Sequence, residues 1–314
     1  MKISLRHLSY FEAFCEVGHF GQAADNKHVT QPALSTKIRE LEDILGTPLV
    51  DRSSRPFQPT PFGREVLERT REILSGVSAL EASARYRRGL EGPFRLGAIP
   101  TIAPFLLPRA LQVARKKLPD LELQILEATT DVLMEELECG RIDACILATP
   151  VPGQTFAQHF LFSDRFVLGL NVEQAERLGF CDRHIVLDNM PPVRLLLLSD
   201  GHCLREQTRD LCKFASQQSL NQIGSSSLQT VMGLSASGYG VTLLPELSLD
   251  ETVFDGSLAA LRLAEPEPDR EISLVTKSYL REAMDVQPLA NILSETGKAR
   301  VSRLRATLER MHHT

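Results

Sequence analysis

The segment "DGHCLREQTRDLC" spans residues 200–212 and sets two thiols, Cys203 and Cys212, nine positions apart in what reads as the opening of a charged helix. A cysteine in the first turn of a helix lies among free N–H groups at the positive end of the dipole, which favours a thiolate. Ser199 or Asp200 is the expected cap, and His202 and Arg205 are expected to add positive charge. These are the ingredients of a lowered thiol pKa, and hence of a nucleophile that oxidants convert to a sulfenic acid. The plainer reading is that a cysteine inside a cell is a small buried hydrophobe. That reading is adopted for Cys15, Cys139, Cys145 and Cys181, while for Cys203 and Cys212 both remain open.

No C-x-x-C occurs, and the spacing of the six cysteines suits neither a zinc module nor a secreted disulfide framework, so no metal and no cofactor is expected. A reducing cytoplasm is the expected compartment, where a disulfide would be transient and regulatory. The start, "MKISLRHLSYFEAF", has no apolar core of a secretory signal, and "VRLLLLS" (193–199) is far too short to cross a bilayer and suits a buried strand. No membrane partner is expected. At 43% apolar and 24% charged, 314 residues have ample material for two or three domains. The net charge of -5 hides an asymmetry, with 13 Lys and Arg against 11 Asp and Glu over residues 1–90. So small an excess means that placement, not total charge, must carry any nucleic-acid binding.

Residues 1–63 read as a winged helix-turn-helix. "LRHLSYFEAFCEVG" (5–18), "GQAADNKH" (21–28) and "TQPALSTKIRELEDILG" (30–46) are short helices with almost no linker between the last two. Thr30 is the expected cap of the third, Pro32 falls in its first turn, Gly46 ends it, and Leu34, Ile38, Leu41 and Leu45 form its inner stripe. Gln31, Pro32, Ser35, Thr36 and Arg39 are left on the outer face for double-stranded DNA, and "PLVDRSSRPFQPTPFG" (48–63) is a wing carrying Arg52 and Arg55 toward phosphates. Residues 64–88 form a linker helix whose Val66, Thr70, Ile73, Val77, Leu80 and Ala84 make a seam. Its partner is the same helix of a second subunit or this chain's next domain, and dimerisation is preferred because helix-turn-helix heads pair to match two half-sites. A hinge at 89–92 follows.

Residues 93–314 then alternate strand and helix: 94–100, 104–119, 121–128, 130–140 and 143–148 give a βαβαβ order and predict a parallel sheet. A second unit begins at "RFVLGLN" (165–171) and contains "VRLLLLS", a helix over 200–216 and another within 227–240. "REISLVTK" (270–277) returns as a strand, and two helices at about 286–295 and 299–312 finish the chain. The expected fold is α/β with two lobes, one about 93–164 and 268–314, the other about 165–267, and a cleft between them for a small ligand.

The chain resembles the LysR-type transcriptional regulators through "LSYFEAF", "FGQAAD", "VTQPALSTKIRELEDILGTPLVDRSSR", "PTPFG", "LGAIPT…LLP" and "GYGVTLLP". Within that family, "DGHCLREQ" followed by Cys212, together with "AIPTIAPFLLP" (98–108), resembles the peroxide-sensing OxyR subgroup. The resemblance implies a periplasmic-binding-protein-like regulatory domain and a homotetramer, a dimer of dimers. It also implies binding to roughly palindromic promoter sites of antioxidant genes on the bacterial nucleoid, with RNA polymerase as a further partner. It implies that hydrogen peroxide oxidises Cys203, that Cys212 then pairs with it, and that cellular thiol reductants reverse the bond. It places Thr101, Thr130, His202 and Arg270 in the peroxide pocket, with Arg205 close by. Gln222 and Gly224 depart from the subgroup, standing where a histidine and an arginine are expected.

Nine residues of one continuous helix separate two Cα atoms by about 13–14 Å along the axis, whereas a disulfide needs about 4.4–6.8 Å. The implied pairing therefore requires the segment to unwind, which makes it a two-state element. Two other readings compete. In one, an organic effector in the inter-lobe cleft gates a LysR-type regulator and the thiols are incidental. In the other the chain is a thiol peroxidase, an enzyme for which a helix-turn-helix head has no use; no enzymatic residue is assigned.

Overall fold

The computed structural model describes residues 2–53, 55–85, 90–180, 184–191, 193–212, 225–249, 256–278 and 285–311. Cys181, Gln222, Gly224 and Gly89 of the expected hinge lie outside the described residues. The chain divides into two compact units, one built mainly from residues 1–84 and one mainly from residue 85 onward.

In the first unit α1 (Leu5–Val17), α2 (Phe20–Asn26) and α3 (Gln31–Leu45) enclose a small core of Phe11, Phe14, Leu34, Ile38 and Leu41. Thr30 caps α3 by accepting the Ala33 N–H at 3.4 Å, and Gly46 ends it at φ 70°, a conformation natural to glycine. Gly18 ends α1 at φ 64°, and its carbonyl takes the Phe57 N–H at 3.1 Å, which joins α1 to the wing. The wing is a short antiparallel pair, β1 (Val50–Asp51) and β2 (Gln58–Pro59). Glu42 of α3 holds its base by accepting the N–H groups of Leu49 and Val50 at 2.9 and 3.1 Å.

Helix α4 (Pro61–Arg85) starts three residues before the expected 64, because the Thr60 hydroxyl accepts the Gly63 N–H at 2.9 Å and caps it early. Its seam is divided between two environments. Val66, Leu67 and Leu74 pack on the head's core and Thr70 is buried, whereas Ile73 and Leu80 are 49% and 71% exposed.

The second unit opens with β3 (Gly92–Ala98), α5 (Ala103–Lys117), β4 (Leu121–Glu127), α6 (Thr130–Glu138) and β5 (Ala144–Leu147). β4, β3 and β5 pair in parallel as expected, but β9 and β6, the next strands in the sheet, are antiparallel to their neighbours. "RFVLGLN" does not begin a new strand. It is the second half of β6 (Phe156–Asn171), which pairs with β9 (Asp269–Lys277) as far as Arg165 and from Phe166 onward with β7 (Thr242–Pro245) and β8 (Leu258–Arg262). One continuous strand thus belongs to both lobes.

The second lobe adds α7 (Val172–Arg177), α8 (Cys203–Leu211) and α9 (Leu228–Ala236). The four leucines of "VRLLLLS" are buried, but the segment is not a regular strand: among the described residues only Leu195 and Leu198 form single bridges, to Val241 and Ser225. The chain's final helices are one helix, α10 (Gln287–Met311), which runs unbroken through Gly297. Among the described residues no helix is long and apolar enough to cross a membrane.

Candidate functional site

Cys203 is the first residue of α8. The N-cap is His202 rather than Ser199 or Asp200, and its side chain makes no capping hydrogen bond. Gly201, at φ 89°, turns the chain immediately before it. The thiol faces a pocket lined among the described residues by Ile99, Pro100, Thr101, Thr129, Thr130 and His202. Three segments therefore converge: the loop after β3, the start of α6 and the start of α8. Their side chains leave less room than a water molecule needs, so a guest enters only if a wall moves.

The two threonine hydroxyls differ in their partners. Thr101 Oγ1 accepts a hydrogen bond from Arg270 Nη1 at 3.0 Å, which leaves its own O–H free to donate. Thr130 Oγ1 is buried and has no hydrogen-bond partner among the described residues. Leaving such a group unpaired costs about 1–3 kcal/mol, a cost that a polar guest would remove. Arg270 does not line the pocket but stands behind Thr101, its guanidinium also donating to Asp164 Oδ2 from Nε and Nη2, both at 3.0 Å. Asp164 is fully buried and takes the Leu247 N–H at 2.8 Å. Burial pushes its carboxyl upward, opposed by Arg270 and by the Leu247 N–H. Sequence reading missed Asp164; the signal was an acid in the apolar run "FLFSDRFVLGL".

Two expectations about charge need correction. His202 is not a local cation, because burial lowers its pKa from 6.5 and leaves it neutral at pH 7. Arg205 is engaged elsewhere, donating to the Leu198 carbonyl at 2.7 Å and pairing with Asp200 at 2.9 Å. At the other end of the helix, Cys212 is the C-cap, 2% exposed, with its thiol pushed up to about 12 by burial. Both thiols are free. Helix α8 is held by the buried side chains of Leu204 and Thr208 and by Gln207, whose Nε2 donates to the Ala148 carbonyl at 2.9 Å, in the other lobe.

On the head, Gln31, Pro32, Thr36 and Arg39 are exposed and Ser35 is half-buried, together forming the outer face of α3. Arg55 is exposed on the wing and lies over the Phe57 ring at 6.0 Å. Arg52 pairs with Glu42 at 2.7 Å, so part of its charge goes to holding the wing on α3.

The chain matches the bacterial regulatory helix-turn-helix protein model of the lysR family over residues 5–64 and the LysR substrate binding domain over residues 87–298. It is 34% identical over 276 residues to the hydrogen peroxide-inducible genes activator of Dickeya chrysanthemi, covering 87% of this chain and 89% of that protein. A cysteine-to-serine mutant of Corynebacterium glutamicum OxyR, bound to hydrogen peroxide, aligns with TM-score 0.63 at 30% identity over 98% of this chain and 97% of that one. Full-length Pseudomonas aeruginosa OxyR with a cysteine-to-aspartate substitution gives TM-score 0.71 at 26% identity, covering 95% of each chain.

Proposed function

Because the chain belongs to the LysR family of bacterial helix-turn-helix regulators and stands with its OxyR members, we propose that it is a transcription regulator switched by hydrogen peroxide through Cys203 and Cys212. The observation that carries this reading is the orphaned, buried Thr130 hydroxyl in a pocket shared with the Cys203 thiol and the Thr101 hydroxyl. Such a site suits a guest that is very small and polar on both sides. Any guest requires a wall to move, and an organic effector of ordinary size requires a larger movement than peroxide does.

In the proposed reaction the Cys203 thiolate attacks one peroxide oxygen, an S–O bond forms, and the O–O bond breaks. Thr101, polarised by Arg270, donates a hydrogen bond to the departing oxygen, which leaves as hydroxide and takes a proton from solvent. Thr130 holds the other oxygen. The resulting sulfenic acid is attacked by the Cys212 sulfur; an S–S bond forms and the hydroxyl departs with the thiol's proton as water. Cys212 can take part only after α8 opens, since it is buried, its thiol is held neutral, and the helix spans about 13–14 Å between the two residues. A cellular dithiol returns both to thiols.

The opened lobe re-aims paired heads on double-stranded DNA. Gln31, Ser35 and Arg39 are assigned to base edges, and Pro32, Thr36 and Arg55 to the sugar–phosphate backbone. Arg52 has the smaller share because of Glu42. We assign the head to residues 1–63, the linker to 64–88 and the hinge to 89–92. The regulatory domain is 93–314, in a homotetramer that acts in the cytoplasm with RNA polymerase.

The test is peptide mass spectrometry of the full chain after brief peroxide exposure, beside a Thr130→Val variant. A Cys203–Cys212 linkage is expected in the wild type. Loss of the Thr130 hydroxyl should slow its formation by on the order of 100-fold, the worth of one hydrogen bond made in a transition state. Absence of the linkage, with a Cys203→Ser protein still inducible in cells, would transfer the trigger to an organic effector.

A further inference from the structure

Directly after β7 the chain makes one 3-10 turn, Glu246–Ser248, whose three residues are fully buried. A turn this short has little internal hydrogen bonding to fix its place, and its polar groups are held by other elements. The Leu247 N–H goes to Asp164 Oδ1 of β6 at 2.8 Å. From the opposite side comes Arg300, on α10. Its Nε donates to the Leu247 carbonyl at 2.8 Å and its Nη2 to the Leu249 carbonyl at 3.0 Å, so the planar fork of one guanidinium grips the turn at two points.

Two routes lead from this grip to the thiol pocket. The first is a chain of hydrogen bonds. Leu247 holds Asp164, Asp164 accepts from Arg270 Nε and Nη2 at 3.0 Å, and Arg270 Nη1 donates to Thr101 Oγ1 at 3.0 Å. Leu247, Asp164, Arg270 and Thr101 are all buried, so the chain is shielded from solvent. The second route is a ring contact. The Arg300 guanidinium lies 5.8 Å from the centroid of Phe105, within the range of a cation–π interaction. Phe105 is in the first turn of α5, four residues after Thr101. Arg300 therefore touches both the chain that orients the Thr101 hydroxyl and the helix that begins beside it.

We infer that Arg300 is a positioning residue for the thiol pocket, setting the Thr101 hydroxyl toward peroxide through Leu247, Asp164 and Arg270; this rests on the reaction proposed at Cys203. A plain staple between α10 and the turn would stabilise the fold without favouring one electrophile over another. A positioning residue instead governs a hydrogen bond that peroxide uses and an alkylating agent does not.

Rates at Cys203 in the full reduced chain, read by quenched reaction and peptide mass spectrometry with hydrogen peroxide and with iodoacetamide, separate the two. Arg300→Ala is expected to slow peroxide about tenfold, within the roughly 2–30-fold range of residues coupled to a site only through a packed network, with iodoacetamide changed less than about twofold. Arg300→Lys keeps a cation over Phe105 and one donor, and its peroxide rate should fall between those of the wild type and Arg300→Ala. It carries the test alone if the alanine variant is unfolded by circular dichroism. Lys117→Gln breaks a surface pair between α5 and α10, with Glu295 at 3.2 Å, and should react as the wild type does. Equal slowing with both reagents, a peroxide rate unchanged in both Arg300 variants, or the same loss in Lys117→Gln would overturn the inference alone. A wild-type Cys203 inert to peroxide would instead overturn the reaction on which it rests.

Discussion

His202 stands next to Cys203, is 9% exposed, and has its pKa lowered from 6.5 by burial. The sign of the consequence follows from linkage. When α8 opens, the imidazole returns to its ordinary pKa, so between that value and the lowered one the opened state binds more protons than the closed one. Closure is thus fully supported at pH 7 and loses stability as pH falls through 6.5 toward the lowered value. Hydrogen-exchange protection of the α8 amides, corrected for intrinsic rates, should fall from pH 7 to pH 5.5 in the wild type. It should fall less in His202→Gln, which has no titrating ring. Equal losses in both proteins would mean that His202 does not couple to the helix. The neighbouring polar groups act by placement: Arg270, neutralised by buried Asp164, is fixed as a donor to Thr101, so the hydroxyl, not a bare cation, meets the guest.

At the scale of elements, the proposed pairing of Cys203 with Cys212 requires α8 to open. Leu204 is its apolar anchor at 2% exposure, and truncating such a side chain costs about 2–5 kcal/mol. Even 2 kcal/mol corresponds to roughly a 30-fold shift in the opening equilibrium. In the reduced protein, iodoacetamide should therefore label Cys212 at least about 30-fold faster in Leu204→Ala than in the wild type. Cys145, fully buried in β5 with its thiol likewise pushed up to about 12, serves as the internal control. It should stay slow if the opening is confined to α8, and parallel acceleration of both thiols would point to general unfolding. The helix's presence was legible in the sequence, but both ends were misplaced: the cap is His202, not Ser199 or Asp200. No Gly or Pro follows Cys212 in "CKFASQQSL", so the reading ran on to 216, whereas α8 stops at Leu211. The opposite error occurred between the two helices expected at about 286–295 and 299–312, where α10 runs on unbroken; Gly297 in that gap serves instead to leave room for the Phe162 ring. Caps, periodicity and the head's inner stripe were readable because they are local. Pairs such as Arg270 with Asp164, 106 positions apart, are made by the sheet and leave no mark on either neighbourhood.

For the whole molecule, charge alone cannot hold DNA. The chain is acidic at -5, and residues 1–90 carry only 13 cations against 11 anions, so the electrostatic share of one head's affinity is small. In the proposed oligomer, affinity is gained by pairing heads on one site, where the second contact is made at high effective concentration and adds about 10²–10⁴-fold. Among the described residues, α4 offers an exposed apolar surface for that proposed pairing. Ile73 and Leu80 are one heptad apart and are 49% and 71% exposed, while the rest of the same seam near Val66 is already spent on the head. A Leu80→Glu substitution should leave each chain folded, since the residue is exposed. It should lower the sedimentation coefficient by removing a subunit contact and weaken binding to a two-half-site duplex by on the order of 100-fold. Binding to a duplex with a single half-site should change little. If assembly and two-site affinity both survive the substitution, the heads are paired by another surface, and the exposed residues of α4 have a different use.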